Sequence, residues 1–269
     1  MTTSIVLIGG GQMSRALISG WTRANAPVAI EVVDPNPDAR QWFADHFASV
    51  AVATDVAHVQ QTPQVVVLAI KPQVAQSVLP AVATRFSSAR PLYVSIMAGV
   101  SLTTLRTLLG PTARLARTMP NRPALLGLGV TGLAREGLTP EELALSESLL
   151  RAVGEVVVVD SEHDIDTVTA VSGSGPAYFF LLIECLEHAA RELGLSAQAA
   201  HVLATQTALG AASMAATSSD DPATLRAQVT SKGGTTEAAL AVLRAGGFES
   251  LIQQAVQAAQ QRAAALALG

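Results

Sequence analysis

The chain has 269 residues, 49% of them hydrophobic and only 14% charged, with a formal net charge of −4. Those figures allow one large or two ordinary domains with a sizeable core, and with no Lys/Arg cluster they argue against a nucleic-acid partner. A single cysteine, Cys185, excludes a disulfide framework and a thiolate metal cluster and fits a reducing, cytoplasmic setting. The apolar start SIVLIGGG is too short and too broken by glycine for a signal peptide or a membrane span, so no membrane partner is expected. Abundant alanine with little charge points to helices buried on more than one face, as in an oligomer interface.

In chain order, short β-branched runs alternate with helical patterns. Strands are expected at Ser4–Ile8, Ala29–Asp34, Val65–Ile70, Pro91–Ile96 and Ala113–Met119. Between the first three lie the helix-length patterns QMSRALISGWTRAN and PDARQWFADHF. A capped helix, with Thr139 as cap and Glu142 three residues on, then leads to a last strand in EVVVVD. Strands this apolar read as a parallel sheet covered on both faces. After Asp160 no strand is expected. Helical runs take over at Tyr178–Leu193, Ala197–Ala216, Pro222–Val229, Glu237–Ala245 and Phe248–Leu268, so the domains are read as residues 1–160 and 161–269. The fold class is α/β: a Rossmann-type, doubly wound parallel sheet followed by an all-α domain.

IGGGQMSRAL follows a strand and opens a helix, the context a dinucleotide fingerprint requires. Gly9, after Ile8, permits the tight turn, and Gly10 and Gly11 let the backbone approach a pyrophosphate. The free N–H groups at Gln12 and Met13 then face that anion. Ser14 holds the third glycine position. Asp34 ends the second strand, where its carboxylate can accept from ribose hydroxyls and repel a 2′-phosphate. NADH is therefore favoured over NADPH, although Asn36 and Arg40 lie nearby and Arg40 could offset the repulsion. AIKPQ (Ala69, Ile70, Lys71, Pro72) and SIMAGV, with Ala98, follow the third and fourth expected strands and can edge the cofactor. Lys71 reads equally as an exposed lysine before a proline-started helix. No metal is expected, since none of the five histidines forms a ligand-spaced pair.

Near the C-terminus, TSKGGTT (Thr230–Thr236) makes a poor strand and a poor helix interior, yet a helical pattern follows at once. SGSGPAY (Ser172–Tyr178) is read as a second small-residue loop opening a helix, with Pro176 suited to its first turn.

Taken together, IGGGQMSRAL, LAIKPQ, SIMAGVS, RTMPNRPALLGLGVTGL, AVSGSGPAYFF, QTALGAASM and VTSKGGTTEAAL resemble the pyrroline-5-carboxylate reductase family, in family order from Ile8 to about Leu240. The resemblance implies reduction of a carboxylate-bearing cyclic imine to L-proline by NADPH or NADH. It also implies a helical domain that intertwines with a second subunit, with a dimer as the minimum unit and sites between cofactor and helical domains. By the same resemblance, Thr235 and Thr236 contact the substrate carboxylate, with Thr236 also near the imine nitrogen and orienting the substrate. Ser231, Gly234 and Ser174 are further substrate-side candidates, and Pro120 and Asn121 neighbour the nicotinamide. A small carboxylate suits unpaired N–H groups at a helix start, and capping by Thr235 or Thr236 is compatible with that role. A purely structural turn at Ser174 stays equally open. Arg117 and Arg122 read as solvated or structural, with phosphate binding as the alternative. Lys232 stands where the family usually has proline, which exchanges loop rigidity for a positive charge.

Two other classes compete. A β-hydroxy-acid dehydrogenase would need a general base, usually a lysine within the helical domain, and the chain offers only Lys71 and Lys232. A broader imine reductase belongs with it. A nonenzymatic nicotinamide-binding protein would have no use for the Thr235–Thr236 loop.

Overall fold

The computed structural model describes residues 2–267. Among them are eight strands: β1 (Thr3–Ile8), β2 (Val28–Val33), β3 (Val50–Ala53), β4 (Val65–Leu68), β5 (Leu92–Ser95), β6 (Arg114–Met119), β7 (Gly129–Ala134) and β8 (Gly154–Val159). They form one sheet in the order β3-β2-β1-β4-β5-β6-β7-β8. Every neighbouring pair is parallel except β6 and β7. That step departs from the all-parallel sheet expected. The connection from Met119 to Gly129 is too short for a parallel crossover, so the chain returns antiparallel. β3 and β7 were not expected from the sequence.

Helices α1 (Gln12–Arg23), α2 (Pro37–His46), α3 (Ala75–Arg85), α4 (Leu102–Leu109) and α5 (Pro140–Leu150) accompany the sheet. Strand residues alternate between two apolar clusters. Ile5, Leu7, Val65, Val67, Leu92 and Val94 pack with Leu17, Ile18 and Trp21 of α1, and Val6, Ile8, Val66, Leu68 and Tyr93 pack with Leu79 of α3 and Leu105 of α4. Both faces of each central strand are covered, which is why Ile5–Ile8 and Val65–Leu68 are apolar at every position. Each such side chain contributes about 1.5–3 kcal/mol on burial. The buried Trp21 indole donates to the Leu149 carbonyl at 2.8 Å. α5 begins with the expected capping box between Thr139 and Glu142.

Beyond β8 the chain is helical: α6 (Asp164–Val168), a π-helical turn (Thr169–Gly173), α7 (Gly175–Glu192), α8 (Ala197–Thr217), α9 (Pro222–Gln228), α10 (Thr235–Ala245) and α11 (Phe248–Ala267). Leu268, placed in the last helix by its sequence pattern, lies outside the described residues. The chain packs as two compact units. One comprises residues 2–174 together with 259–267; the other is Gly175–Ala258.

The helical unit has almost no interior of its own. Between Gly175 and Ala258 the only apolar side chains that are buried are Ala200 and Ala204. Phe179, Phe180 and Val242 are 62%, 64% and 73% exposed. α7 and α8 pack together, with His201 and Glu187 paired at 2.8 Å. The helical run Asp164–Glu192 is by length and composition apolar enough to cross a membrane.

Candidate active site

In the sheet unit the strand order reverses at β1, which lies between β2 and β4. Open α/β sheets bind ligands at the carboxyl ends of strands at such a reversal. Gly9 turns the chain sharply there with φ of 103°, and its N–H donates to the Val33 carbonyl at 2.8 Å. A Cβ on Gly9 would stand 2.5 Å from the Ala69 carbonyl oxygen and 3.2 Å from an Ile70 methyl, so Gly9 lies against Ala69 and Ile70. Ser14 donates its hydroxyl to the Gly9 carbonyl at 2.6 Å, a tie that a third glycine could not make.

Gly11 is the N-cap of α1, and no side chain caps that helix. The N–H groups of Gln12 and Met13 therefore keep the helix start open to an anion. Nothing lies within 4 Å of where a Gly11 Cβ would stand. This bare, electropositive cradle fits a dinucleotide pyrophosphate. Asp34 faces it: its Oδ2 accepts from Gly10 N–H at 2.7 Å and its Oδ1 from Asn36 N–H at 2.8 Å. Asn36 in turn caps α2 through Asp38 N–H. Arg40 donates through Nη1 to the carbonyls of Asp34 and Pro35, at 2.7 and 2.8 Å.

The remaining cofactor candidates sit at neighbouring strand ends. Lys71 is exposed and precedes a short 3-10 turn, Pro72–Val74. Ala98 is exposed beyond β5, whereas Met97 is buried in the core. Pro120 and Asn121 are buried beyond β6. Both ends of the Asn121 amide are engaged in structure, with Nδ2 donating to the Ser172 carbonyl at 3.1 Å and Oδ1 accepting from Val130 N–H at 2.9 Å. Arg122 is exposed. Arg117 is buried against Glu162 at 2.6 Å and Asp166 at 3.6 Å. Glu162 also accepts from Leu102 N–H at the start of α4. The alternatives for Arg117 thus narrow to a structural ion pair.

SGSGPAY is less of a loop than its composition suggests: Ser172 and Gly173 end the π-helical turn, Ser174 is a one-residue bend, and Gly175 opens α7 with Pro176 in its first turn. Ser174 N–H donates to Thr169 O at 2.8 Å, five residues back. Glycine, serine and proline there argued for a break, but hydrogen bonds from outside the helix offset that preference, as Asn121 does at Ser172. Ser174 itself is half-buried beside this turn.

In the helical unit, Asp221 caps α9, and the Thr224 N–H it accepts holds its carboxyl below the usual carboxylate range. The 230–236 loop follows. Thr230 closes α9 through a hydroxyl bond to Arg226 O at 2.6 Å, and Gly234 N–H bonds Ser231 O at 3.0 Å. Gly234 is the N-cap of α10, without side-chain capping, and Thr235 and Thr236 occupy the first two helical positions. Neither threonine hydroxyl caps the helix, so the first-turn N–H groups face outward with two hydroxyls beside them. Lys232 is exposed. Sequence reasoning overlooked Glu237, whose carboxylate accepts from Gly233 N–H at 2.6 Å and pins the glycine at φ of 73°. The GGTTE spacing resembles a capping box, and that signal could have found it.

Residues 162–266 match the family described as pyrroline-5-carboxylate reductase dimerisation, and residues 4–99 match that described as NADP oxidoreductase coenzyme F420-dependent. A pyrroline-5-carboxylate reductase of Pseudomonas aeruginosa is 44% identical over 99% of this chain and 97% of its own. The chain belongs to the pyrroline-5-carboxylate reductase family. Among solved structures, a pyrroline-5-carboxylate reductase from Coxiella burnetii superposes with a TM-score of 0.92 at 38% identity, covering 99% of each chain. The Plasmodium falciparum pyrroline carboxylate reductase with NADP bound gives 0.84 at 27% identity, covering 98% of each. Family membership makes the sheet unit a nicotinamide-binding domain and the helical region a dimerisation domain, and so the protein a homo-oligomeric oxidoreductase.

Proposed function

We propose that this chain reduces 1-pyrroline-5-carboxylate, a five-membered cyclic imine bearing a carboxylate, to L-proline in the last step of proline synthesis. The observation that carries the reading is full-length likeness to a pyrroline-5-carboxylate reductase at 44% identity. The physical chemistry of the loops agrees with it. The bound reduced nicotinamide would supply the hydride, leaving the protein to bind, aim and exclude water. Ile8 to Met13 would hold the pyrophosphate and Asp34 the adenosine ribose. Ala69 to Pro72, Ala98, Pro120 and Asn121 would border the cofactor. Thr235 and Thr236 would receive the substrate carboxylate at the start of α10, aided by the helix dipole, with Gly234 and Ser231 beside them. Thr236 would orient the ring by a hydroxyl bond near the imine nitrogen, with Ser174 on the substrate side. We read the boundary near Asp160 as the division between cofactor and substrate functions.

Asp34 favours NADH. Its carboxylate is held in place by two backbone N–H groups, and the Nη1 of Arg40 is committed to carbonyls instead of standing free for a 2′-phosphate. Oxidation of NADH and of NADPH should be followed with the cyclic imine, with a β-hydroxy acid and with neither. Turnover is expected with the imine alone, at higher kcat/KM for NADH. A clear NADPH preference overturns the cofactor reading, and no imine turnover overturns the function.

The apolar faces of α7 to α11 are read as subunit-facing and not lipid-facing, because the same residues match a dimerisation family. Our reading is that the enzyme works in the cytoplasm as at least a dimer, with larger assemblies of dimers as an extension. Light scattering at micromolar concentration should give twice the chain mass or more. A folded, active monomer would refute the interface.

A further inference from the structure

We infer that Asn121 is a positioning residue, which fixes the π-helical turn beside Ser174 by holding a carbonyl that Pro176 leaves without a helical donor. The inference rests on Ser174 lying on the substrate side of the proposed site.

In a regular α-helix each N–H bonds the carbonyl four residues back. The residue four beyond Ser172 is Pro176, which has no N–H to give. Ser172 O instead accepts from Asn121 Nδ2 at 3.1 Å. Asn121 is itself anchored, since its Oδ1 accepts from Val130 N–H of β7 at 2.9 Å. One end of the amide faces a donor and the other an acceptor, so its orientation is fixed by chemistry. The next residue, Gly173, lies against the same segment: a Cβ there would stand 2.8 Å from Met119 Cε. Ser174 N–H then closes the wide turn on Thr169 O at 2.8 Å. Asn121 is only 9% exposed and Ser172 is half-buried, so loss of the donor would leave a partly desolvated carbonyl short of a partner. π turns inside α-helices recur at functional sites, where they aim side chains that a regular helix would place elsewhere.

The test is a double-mutant cycle read in steady-state kinetics. Asn121→Asp is isosteric and keeps the acceptor for Val130, but turns an oxygen towards the Ser172 carbonyl. Its kcat/KM for the imine should fall about tenfold, with the imine KM rising more than the cofactor KM. Pro176→Ala restores an N–H that can satisfy Ser172 O, so in that background Asn121→Asp should cost less than about threefold. Equal losses in both backgrounds overturn the inference. So does a change confined to the cofactor KM, which would make Asn121 a direct cofactor contact.

Amide exchange of Ser174 supplies a readout that does not need turnover. Exchange should quicken in Asn121→Asp and slow again in the double variant; unchanged exchange overturns the inference even if the native protein proves inactive on the imine, an outcome that overturns the proposed function instead. If Asn121→Asp does not fold, recovery of folding in the double variant supports the coupling, and its absence refutes it.

Discussion

Gly9→Ala should lose dinucleotide binding and much of the stability of the sheet unit together, whereas Gly11→Ala should lose binding alone. At Gly9 an alanine must adopt φ of 103° and place its methyl 2.5 Å from the Ala69 carbonyl oxygen. The left-handed backbone costs about 1–2 kcal/mol and the overlap with a neighbouring strand end about 1–3 more. For a chain of this size that lowers Tm by roughly 5–15 °C. Gly11 has φ of −73°, which any residue adopts, and open space where its Cβ would go. A methyl there occupies the path of the pyrophosphate to the first N–H groups of α1. Cofactor affinity should fall by about thirtyfold or more, some 2 kcal/mol, with Tm unchanged. Fluorescence titration with NADH and a thermal melt on both variants check this. Native affinity in Gly11→Ala would remove the glycine loop from the cofactor site.

Thr236→Ala should lower kcat/KM for the imine by one to two decades, about 1.5–3 kcal/mol of transition-state stabilisation, without a matching loss of fold. The separation is possible because Gly234 is the N-cap of α10 and no side chain, Thr236 included, caps it. Alanine also has the better helix propensity. The hydroxyl is thus free of structural duty, and an activity loss reports on the substrate. An unchanged kcat/KM would leave Thr236 without the orienting role.

The sheet was legible because its strands are apolar on both faces, as Ile5 to Ile8 and Val65 to Leu68 show, and the helix starts because Thr139, Pro37 and the glycine run mark them. Two strands were hidden. β3 is an edge strand reading VAVA, half of it alanine, which has little preference for strands. β7 reads GVTGLA, and its glycines look like a turn until their neighbours are seen. A side chain on Gly132 would stand 2.6 Å from a Val168 methyl, and one on Gly154 of β8 would overlap the Gly129 carbonyl. Close approach of other chain segments decides these positions, and local propensity carries no trace of it. The π turn was missed for the same reason, since the donor that sustains it comes from Asn121, far away in sequence. In the site, the glycine loop, Asp34 and the start of α10 could be read locally. The Arg117–Glu162–Asp166 ion cluster could not, because its partners lie on different elements.

The double duty of Asp34 bears on any attempt to redesign the coenzyme. A designer wishing to admit a 2′-phosphate would remove this carboxylate first, as the group that repels it. Yet the same two oxygens hold Gly10 on one side and Asn36, the cap of α2, on the other. Deleting them would slacken the loop that cradles the phosphates in the act of widening what it accepts. A neutral residue that can still accept from Gly10 and Asn36, such as asparagine, leaves that scaffold standing, and the new phosphate then needs a cation of its own because the Nη1 of Arg40 is already tied to backbone carbonyls.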